Sequence, residues 1–199
     1  EMVRIPGGSF IYQGGEMREL PTFWISKFEV SIAQYARFLE HLASLSCALE
    51  KQQAAQIIVD FELEGARKAS WMPNAELLLQ QLQHRQMPMA ILTRNMPEAA
   101  KITIEKLGID IPLVLTRYDA EPKPHPQGIH LICEQWQLSP ADILYVGDYL
   151  FDLQTAQNAG SRCALYCPEE VPDYAHAADL LIGNYQSFIE AWAVAIPKD

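Results

Sequence analysis

Two carboxylates follow a run of apolar residues in the second half of the chain. Residues 143–146 read Ile-Leu-Tyr-Val, Gly147 follows, and Asp148 and Asp152 come next. This pattern predicts a buried strand with acids at its carboxyl tip, which is where open α/β sheets bind ligands. Carboxylate oxygens in such a position suit a hard divalent cation. We therefore expect Mg²⁺ as a cofactor, with Asp148 and Asp152 as its ligands.

Two further predicted strand ends carry groups that suit a phosphate. An apolar segment leads into Thr93, Arg94 and Asn95, whose side chains are hydrogen-bonding or positively charged. Pro97 then begins a predicted helix, and the free N–H groups at a helix start favour an anion. Lys123 lies between two prolines in a stiff turn, where its charge can balance a phosphate and nearby carboxylates. These residues are the predicted phosphate-binding set.

The elements that must position these groups alternate along residues 71–199. Apolar runs of strand length recur between helical patterns, which is typical of a parallel sheet with helices on both faces. The predicted strands are 89–92, 113–115, 143–146, 163–166 and 180–182. The predicted helices are 73–82, 97–108, 126–137, a helix ending at 160, and 185–195. The fold class is therefore α/β.

The first part of the chain has a different character. Residues 1–30 are rich in Gly, Pro and aromatic residues, which predicts short strands separated by turns. From Ser31 the apolar spacing becomes helical over 32–39, and a second helix is expected over about 48–69. We expect an atypical head over 1–43, a helical segment over 44–70 and the α/β core over 71–199.

The composition narrows the classes of partner. The formal net charge of −10 argues against binding to nucleic acid or to an anionic membrane surface. No apolar run reaches the ~18 residues that span a bilayer. The first residues lack the layout of a signal peptide, so a cytoplasmic protein is expected. Cys163 and Cys167 lie too far apart along a strand to form a disulfide, and reduced thiols are expected.

The core motifs together resemble the haloacid dehalogenase-like hydrolases over about 72–190, in particular the phosphoglycolate-phosphatase-like branch. The resemblance rests on Met-Pro-Asn-Ala-Glu-Leu-Leu from residue 72, Ile-Leu-Thr at 91–93, Lys-Pro at 123–124, and Ser-Pro-Ala-Asp-Ile-Leu-Tyr-Val-Gly-Asp from residue 139. It implies a three-layer Rossmann-like sheet with a small helical cap.

The same resemblance implies a Mg²⁺-dependent phosphomonoester hydrolase that acts on a small phosphorylated metabolite. Thr93 would bind the transferring phosphoryl group, and Lys123 would balance its charge. Asp148 would hold the Mg²⁺. Asp152 would be either a second ligand or an acid that orients the site.

The family's attacking carboxylate lies in an Asp-x-Asp-Gly-Thr motif after an N-terminal strand, and the sequence contains no such string. The most similar segment is 59–66, Val-Asp-Phe-Glu-Leu-Glu-Gly-Ala, in which Glu62 is a weak candidate nucleophile. Alternatively, the helical pattern over 52–69 makes this segment the last cap helix, with a solvated acidic face.

The head resembles the opening of the formylglycine-generating, sulfatase-modifying domain over about 2–39. It therefore occupies the place of the missing catalytic strand, and we hypothesise that the chain joins pieces of two families. Residues 9–13 or 22–26 would then fill the central gap in the sheet, or the head would form a separate unit. The alternative function is a catalytically inactive chimeric or rearranged domain that at most binds phosphate or a cation.

Overall fold

The computed structural model describes residues 2–5, 8–12, 16–20, 23–26 and 48–195 of the 199-residue chain. Two compact units are present, residues 1–60 and residues 61–199. The predicted helix over 32–39 lies outside the described residues.

The first unit contains four short strands and most of one helix. The strands are β1 Met2–Ile5, β2 Gly8–Tyr12, β3 Glu16–Leu20 and β4 Phe23–Ser26. β1 pairs with β4 and β2 pairs with β3, both antiparallel. The short strands expected over 1–30 are therefore present. Helix α1, Ala48–Lys68, agrees with the helix expected over 48–69 and continues past residue 60.

The second unit alternates helices and strands, as the sequence predicts. Its helices are α2 Ala75–His84, α3 Pro97–Leu107, α4 Gln127–Trp136, α5 Leu150–Ala159 and α6 Tyr185–Ala195. Its strands are β5 Ala90–Leu92, β6 Leu113–Leu115, β7 Leu144–Gly147, β8 Arg162–Tyr166 and β9 Leu180–Ile182. Short 3-10 helices cover Pro140–Asp142 and Asp173–Ala177.

Left-handed residues set two helix boundaries. We predicted that α2 begins at Pro73, but Asn74 has φ 62° and the helix begins at Ala75. A residue in the left-handed region cannot continue a right-handed helix, so the predicted start is wrong by two residues. Gln137, with φ 57°, ends α4 in the same way.

All strand pairs of the second unit are parallel, in two sets. β5 pairs with β6, and β7, β8 and β9 pair in that order. Among the described strands, none hydrogen-bonds to both β5 and β7. β2 and β4, which include parts of the two segments considered for that position, have their partners in β3 and β1.

Strand β8 shows the three layers of the core. Cys163 and Leu165 are buried in a cluster with residues of α4 and α5. Ala164 and Tyr166 face the opposite way and pack against α6, where the rings of Tyr166 and Tyr185 stack with centroids 4.4 Å apart. Because alternate residues of one strand contact helices on both faces, the three-layer α/β architecture is confirmed.

Among the helices that the structure describes, none is long and apolar enough to cross a bilayer.

Cys133, Cys163 and Cys167 are free thiols, and burial raises the pKa of the Cys163 thiol.

We expect Leu153→Ala to destabilise the fold strongly, because Leu153 is fully buried in the cluster between α5 and β8. A fully buried leucine typically contributes about 2–5 kcal/mol relative to alanine. Urea unfolding measures the loss. The control is Val171→Ala in the segment after β8, where the side chain is 60% exposed and a change within about 0.5 kcal/mol is expected. Equal losses in the two variants would contradict this description of the core.

Candidate functional site

A small cavity lies between the segments that follow β5 and β6. Its lining consists of Leu92, Thr93 and Arg94 from the first segment and Thr116, Arg117, Ala120, Glu121, Pro122 and Lys123 from the second. Parallel strands bring their carboxyl ends to the same edge of a sheet. Three residues of the predicted phosphate-binding set, Thr93, Arg94 and Lys123, therefore surround one cavity.

Thr93 is held with its hydroxyl hydrogen available. Its N–H donates to the Leu115 carbonyl at 2.9 Å, which extends the pairing of β5 and β6 by one residue. Its Oγ1 accepts the Asn95 N–H at 3.1 Å. A hydroxyl that accepts a hydrogen bond still has its own hydrogen to donate, so Thr93 can bind an anionic oxygen.

Asn95 differs from its neighbours in the predicted set. It is not among the residues that line the cavity, and its carbonyl accepts the Arg117 N–H at 3.3 Å. Its observed contribution is thus made by the backbone, which links the two loops. Helix α3 begins two residues later at Pro97, whose fixed φ suits the first helical position.

Arg94 contacts the segment that follows β7. Its guanidinium lies 5.6 Å from the centre of the Phe151 ring, close enough for a cation–π contact. Within residues 61–195, no carboxylate forms an ion pair with Arg94. One positive charge at the cavity is therefore not balanced by a described acid.

Lys123 joins the cavity to the third strand end. Its Nζ lies 2.7 Å from Asp152 Oδ1, and the two side chains are 15% and 8% exposed. The pair is therefore nearly buried, and the ammonium is fixed where it meets the cavity. A buried pair of this kind loses several kcal/mol if one partner is removed, because the remaining charge is stranded.

Asp152 accepts three further hydrogen bonds. Oδ1 also accepts the Tyr145 hydroxyl at 3.2 Å, and Oδ2 accepts the N–H groups of Asp148 and Tyr149 at 3.3 and 3.1 Å. Asp152 is the third residue of α5, and its side chain caps the helix by accepting the N–H of Tyr149, the residue just before the helix. Both oxygens are engaged, which favours the orienting role over that of a second metal ligand.

Gly147 makes this arrangement possible. A Cβ placed on Gly147 would lie 2.2 Å from Asp152 Cβ and 2.3 Å from Asp152 Cγ. Only a residue without a side chain lets the strand end approach the carboxylate so closely.

Of the two aspartates that follow β7, Asp148 is exposed and Asp152 is buried. Desolvation and, next, the negative charge of Asp152 raise the pKa of the Asp148 carboxyl, while Lys123 acts in the opposite direction. No other residue within 61–195 donates a hydrogen bond to this carboxylate. A carboxylate that is costly to ionise and open to solvent suits a cation that would neutralise it.

The donor set around Asp148 limits the kind of metal site. Among the described residues, no group of three His, Cys, Asp or Glu side chains could hold an ion. Mg²⁺ commonly binds through one or two carboxylates and takes its other ligands from water and from substrate phosphate. The site fits Mg²⁺ in that form, with Asp148 as the carboxylate.

Tyr145 is a site residue that the sequence analysis missed. Burial and the nearby Asp152 charge raise the pKa of its phenol far above the ordinary value, so the hydroxyl remains a donor. The centre of the Tyr145 ring also lies 5.4 Å from Lys123 Nζ. The alternation of β7 was an available signal, because Tyr145 shares a strand face with Gly147.

Glu62, the weak candidate nucleophile, lies away from the cavity lining. Its Oε1 pairs with Arg117 Nη1 at 2.7 Å, and its Oε2 accepts the Met96 N–H at 2.8 Å. The continuous helix is confirmed by α1, but the expectation of a solvated acidic face is wrong at this position. Glu62 is buried because it points at Arg117 and the start of α3, whereas Glu64 is exposed.

Known proteins similar to this chain include haloacid dehalogenase-like hydrolases. A family model described as haloacid dehalogenase-like hydrolase matches residues 30–166. A haloacid dehalogenase-like hydrolase domain-containing protein of Arabidopsis thaliana is 31% identical over 128 residues, which cover 64% of this chain and 52% of the relative. A phosphoglycolate phosphatase of Photorhabdus laumondii is 33% identical over 122 residues, which cover 60% and 52%.

Solved structures agree at the level of the fold. A hydrolase from Pseudomonas syringae superposes with a TM-score of 0.67 at 16% identity, covering 78% of this chain and 77% of that one. The chain spans about half the length of the two curated relatives described above.

We expect Gly147→Ala to destabilise the protein by about 1–3 kcal/mol, the usual cost of forcing a methyl group into a packed site. The added Cβ must displace Asp152, whose own Cβ cannot rotate away. Chemical denaturation measures the loss. Gly65→Ala is the control, since a Cβ there meets nothing within 4 Å. A stability equal to that of the wild type would show that Asp152 is not held as described.

We expect Asp148→Asn to raise the thermal midpoint at pH 7 in buffer without divalent cations. The folded pKa of Asp148 lies above its ordinary value, so the folded protein binds the proton more tightly than the unfolded chain. Stability is therefore lost as pH rises through that window, and the amide avoids the loss. The difference from the wild type should shrink at pH 4 and below. Exposed Asp110→Asn is the control, and a lowered midpoint for Asp148→Asn at pH 7 would contradict the assignment.

Proposed function

The chain belongs to the haloacid dehalogenase-like hydrolases, and from this premise we propose that it hydrolyses phosphate monoesters of a small metabolite with Mg²⁺. The observation that carries the proposal is the convergence of three strand ends. Thr93 and Lys123 line one cavity, and Lys123 pairs with Asp152 beside Asp148. A hydroxyl and an ammonium group thereby meet at one cavity, and the ammonium connects that cavity to the carboxylates that follow β7.

The proposed roles follow from the contacts. The Thr93 hydroxyl donates to a phosphate oxygen, and Lys123 balances the charge of the bound anion. Arg94 adds a positive charge at the cavity that no described acid neutralises. Asp152 and Tyr145 hold Lys123 in place, so these two residues act through the lysine.

Asp148 is the residue proposed to hold Mg²⁺. The bound ion would supply charge neutralisation and polarise a phosphoryl oxygen. Asp148 suits this role because its side chain reaches solvent. Desolvation and, next, the charge of Asp152 raise the pKa of its carboxyl, and a bound cation would offset this cost of ionisation.

The substrate class is proposed from the curated relatives. One of them is by name a phosphoglycolate phosphatase, and a small phosphorylated metabolite is the corresponding proposal for this chain. The activity of the whole protein is part of the proposal, since the match spans 52% of that relative. A cytoplasmic location also stays a prediction.

A second candidate function is phosphate or cation binding without turnover. It is favoured by Glu62, whose two oxygens bind Arg117 and the Met96 N–H and which is not among the residues that line the cavity. It is also favoured by the separation of β5 from β7 in the described sheets. Residues 1–29 lie outside the matched family range. Their resemblance to a sulfatase-modifying domain, and the joining of two families, stay predictions that sequencing of the source locus can test.

We expect hydrolysis of an aryl phosphate in the presence of Mg²⁺ to exceed background and to fall at least about 100-fold in Asp148→Asn, because a charge that stabilises the transition state is lost. Release of the aryl alcohol measures the rate. Exposed Asp110→Asn should retain the wild-type rate.

Background rates in wild type and Asp148→Asn alike would contradict the hydrolase proposal. Phosphate binding in the same samples, measured by calorimetry, would then support the second candidate function.

A further inference from the structure

Glu62 connects the two loops that line the cavity. It lies on α1, yet its side chain is only 5% exposed and reaches residues 34 and 55 positions further along the chain. One oxygen accepts the Met96 N–H just before α3, and the other binds Arg117 after β6. A single carboxylate thus fixes the start of the helix after Thr93 relative to the loop that leads to Lys123.

Arg117 is the partner that reaches the cavity. It lines the cavity together with Thr93 and Lys123, and its side chain is 22% exposed. Of the guanidinium nitrogens, Nη1 binds Glu62. Guanidinium carries five N–H donors in a rigid plane, so one edge can hold a carboxylate while the others remain available for a second anion.

The charge of Glu62 explains why part of the Arg117 guanidinium is used inside the protein. A buried glutamate without a cation is costly, and Arg117 supplies that cation in the protein without ligand. The guanidinium is therefore held by Glu62, and it also lies 5.5 Å from the centre of the Tyr118 ring, before any ligand binds. Such preorganisation favours binding because little side-chain freedom remains to be lost.

We propose that Arg117 is an anion-binding residue of the cavity, contacting the phosphate group of the ligand, and that Glu62 is the positioning residue that orients it. This inference rests on the proposed function, since it assumes that the cavity binds phosphate. It gives Glu62 a role that is distinct from that of a nucleophile.

The test is calorimetric titration of the full chain with inorganic phosphate at pH 7. We expect Arg117→Gln to weaken binding by roughly tenfold or more, the usual effect of losing one hydrogen bond to a charged group. Glu62→Gln keeps the shape of the side chain but removes the charge that holds Arg117, and we expect a smaller loss. Glu105→Gln is the matched control, since Glu105 forms an exposed pair with Lys101 on α3. It should bind phosphate like the wild type.

The double variant separates positioning from a purely structural role. If Glu62 acts through Arg117, Glu62→Gln together with Arg117→Gln should bind phosphate as weakly as Arg117→Gln alone. Losses that multiply would show that Glu62 acts independently, and the positioning role would be overturned. Wild-type affinity in Arg117→Gln would overturn the binding role of Arg117.

Two further measurements keep the test decisive. If Arg117→Gln does not fold by circular dichroism, its combination with Glu62→Gln replaces it, since that double variant leaves no buried carboxylate without a cation. Affinity equal to that of Glu62→Gln alone would then overturn the binding role of Arg117. Absence of phosphate binding in the wild type would defeat the proposed function itself, and that result is visible before any substitution is made.

Discussion

The buried carboxylate of Asp152 is the interaction on which the site and much of the surrounding fold depend. It accepts hydrogen bonds from the Lys123 ammonium, the Tyr145 hydroxyl and the N–H groups of Asp148 and Tyr149. Removing a carboxylate from water costs several kcal/mol, and charge-assisted hydrogen bonds offset this only when the geometry is good. The loop after β6, strand β7 and the start of α5 must therefore keep their relative positions, and the absence of a side chain at Gly147 is part of that requirement.

The same contacts join two parts of the sheet that share no described backbone ladder. β5 and β6 form one parallel pair, and β7, β8 and β9 form a separate set. Side chains connect them instead. Leu92 packs against the cluster that contains Leu153, Arg94 lies on Phe151, and the Asn158 amide donates to the Pro124 carbonyl at 2.9 Å. The ion pair of Lys123 and Asp152 is a further contact between the two sets of strands. Substitutions at the site should therefore change the stability of the protein as well as its binding of ligands.

The sequence predicted those elements and site residues that depend on the local pattern of apolar residues and on prolines and glycines. The structure has the predicted bounds for the strands Leu113–Leu115 and Leu180–Ile182 and for the helix Tyr185–Ala195. Thr93 and Lys123 were found because each follows a predicted strand, and strand ends meet at one edge of a parallel sheet. These signals lie within a few consecutive residues.

The partners that complete the site depend on tertiary packing, which leaves no local signal. Glu62 and Arg117 are 55 positions apart, and a helical glutamate is usually solvated, so their pairing could not be inferred from spacing. Tyr145 resembles an ordinary core aromatic until Asp152 is seen beneath its hydroxyl. The left-handed conformation of Asn74, which moved the start of α2, likewise follows from its context.

The charges at the cavity explain why anion and cation binding should reinforce each other. Lys123 is already paired with Asp152 and Arg117 with Glu62, so a phosphate would meet two cations whose charges are partly balanced. Arg94 and the start of α3 provide the remaining positive potential. On the other side, desolvation and, next, the negative charge of Asp152 raise the pKa of the Asp148 carboxyl. A divalent cation beside Asp148 would offset the cost of ionising this carboxyl and attract the phosphate, and by linkage a bound phosphate would increase the affinity for the cation to the same degree.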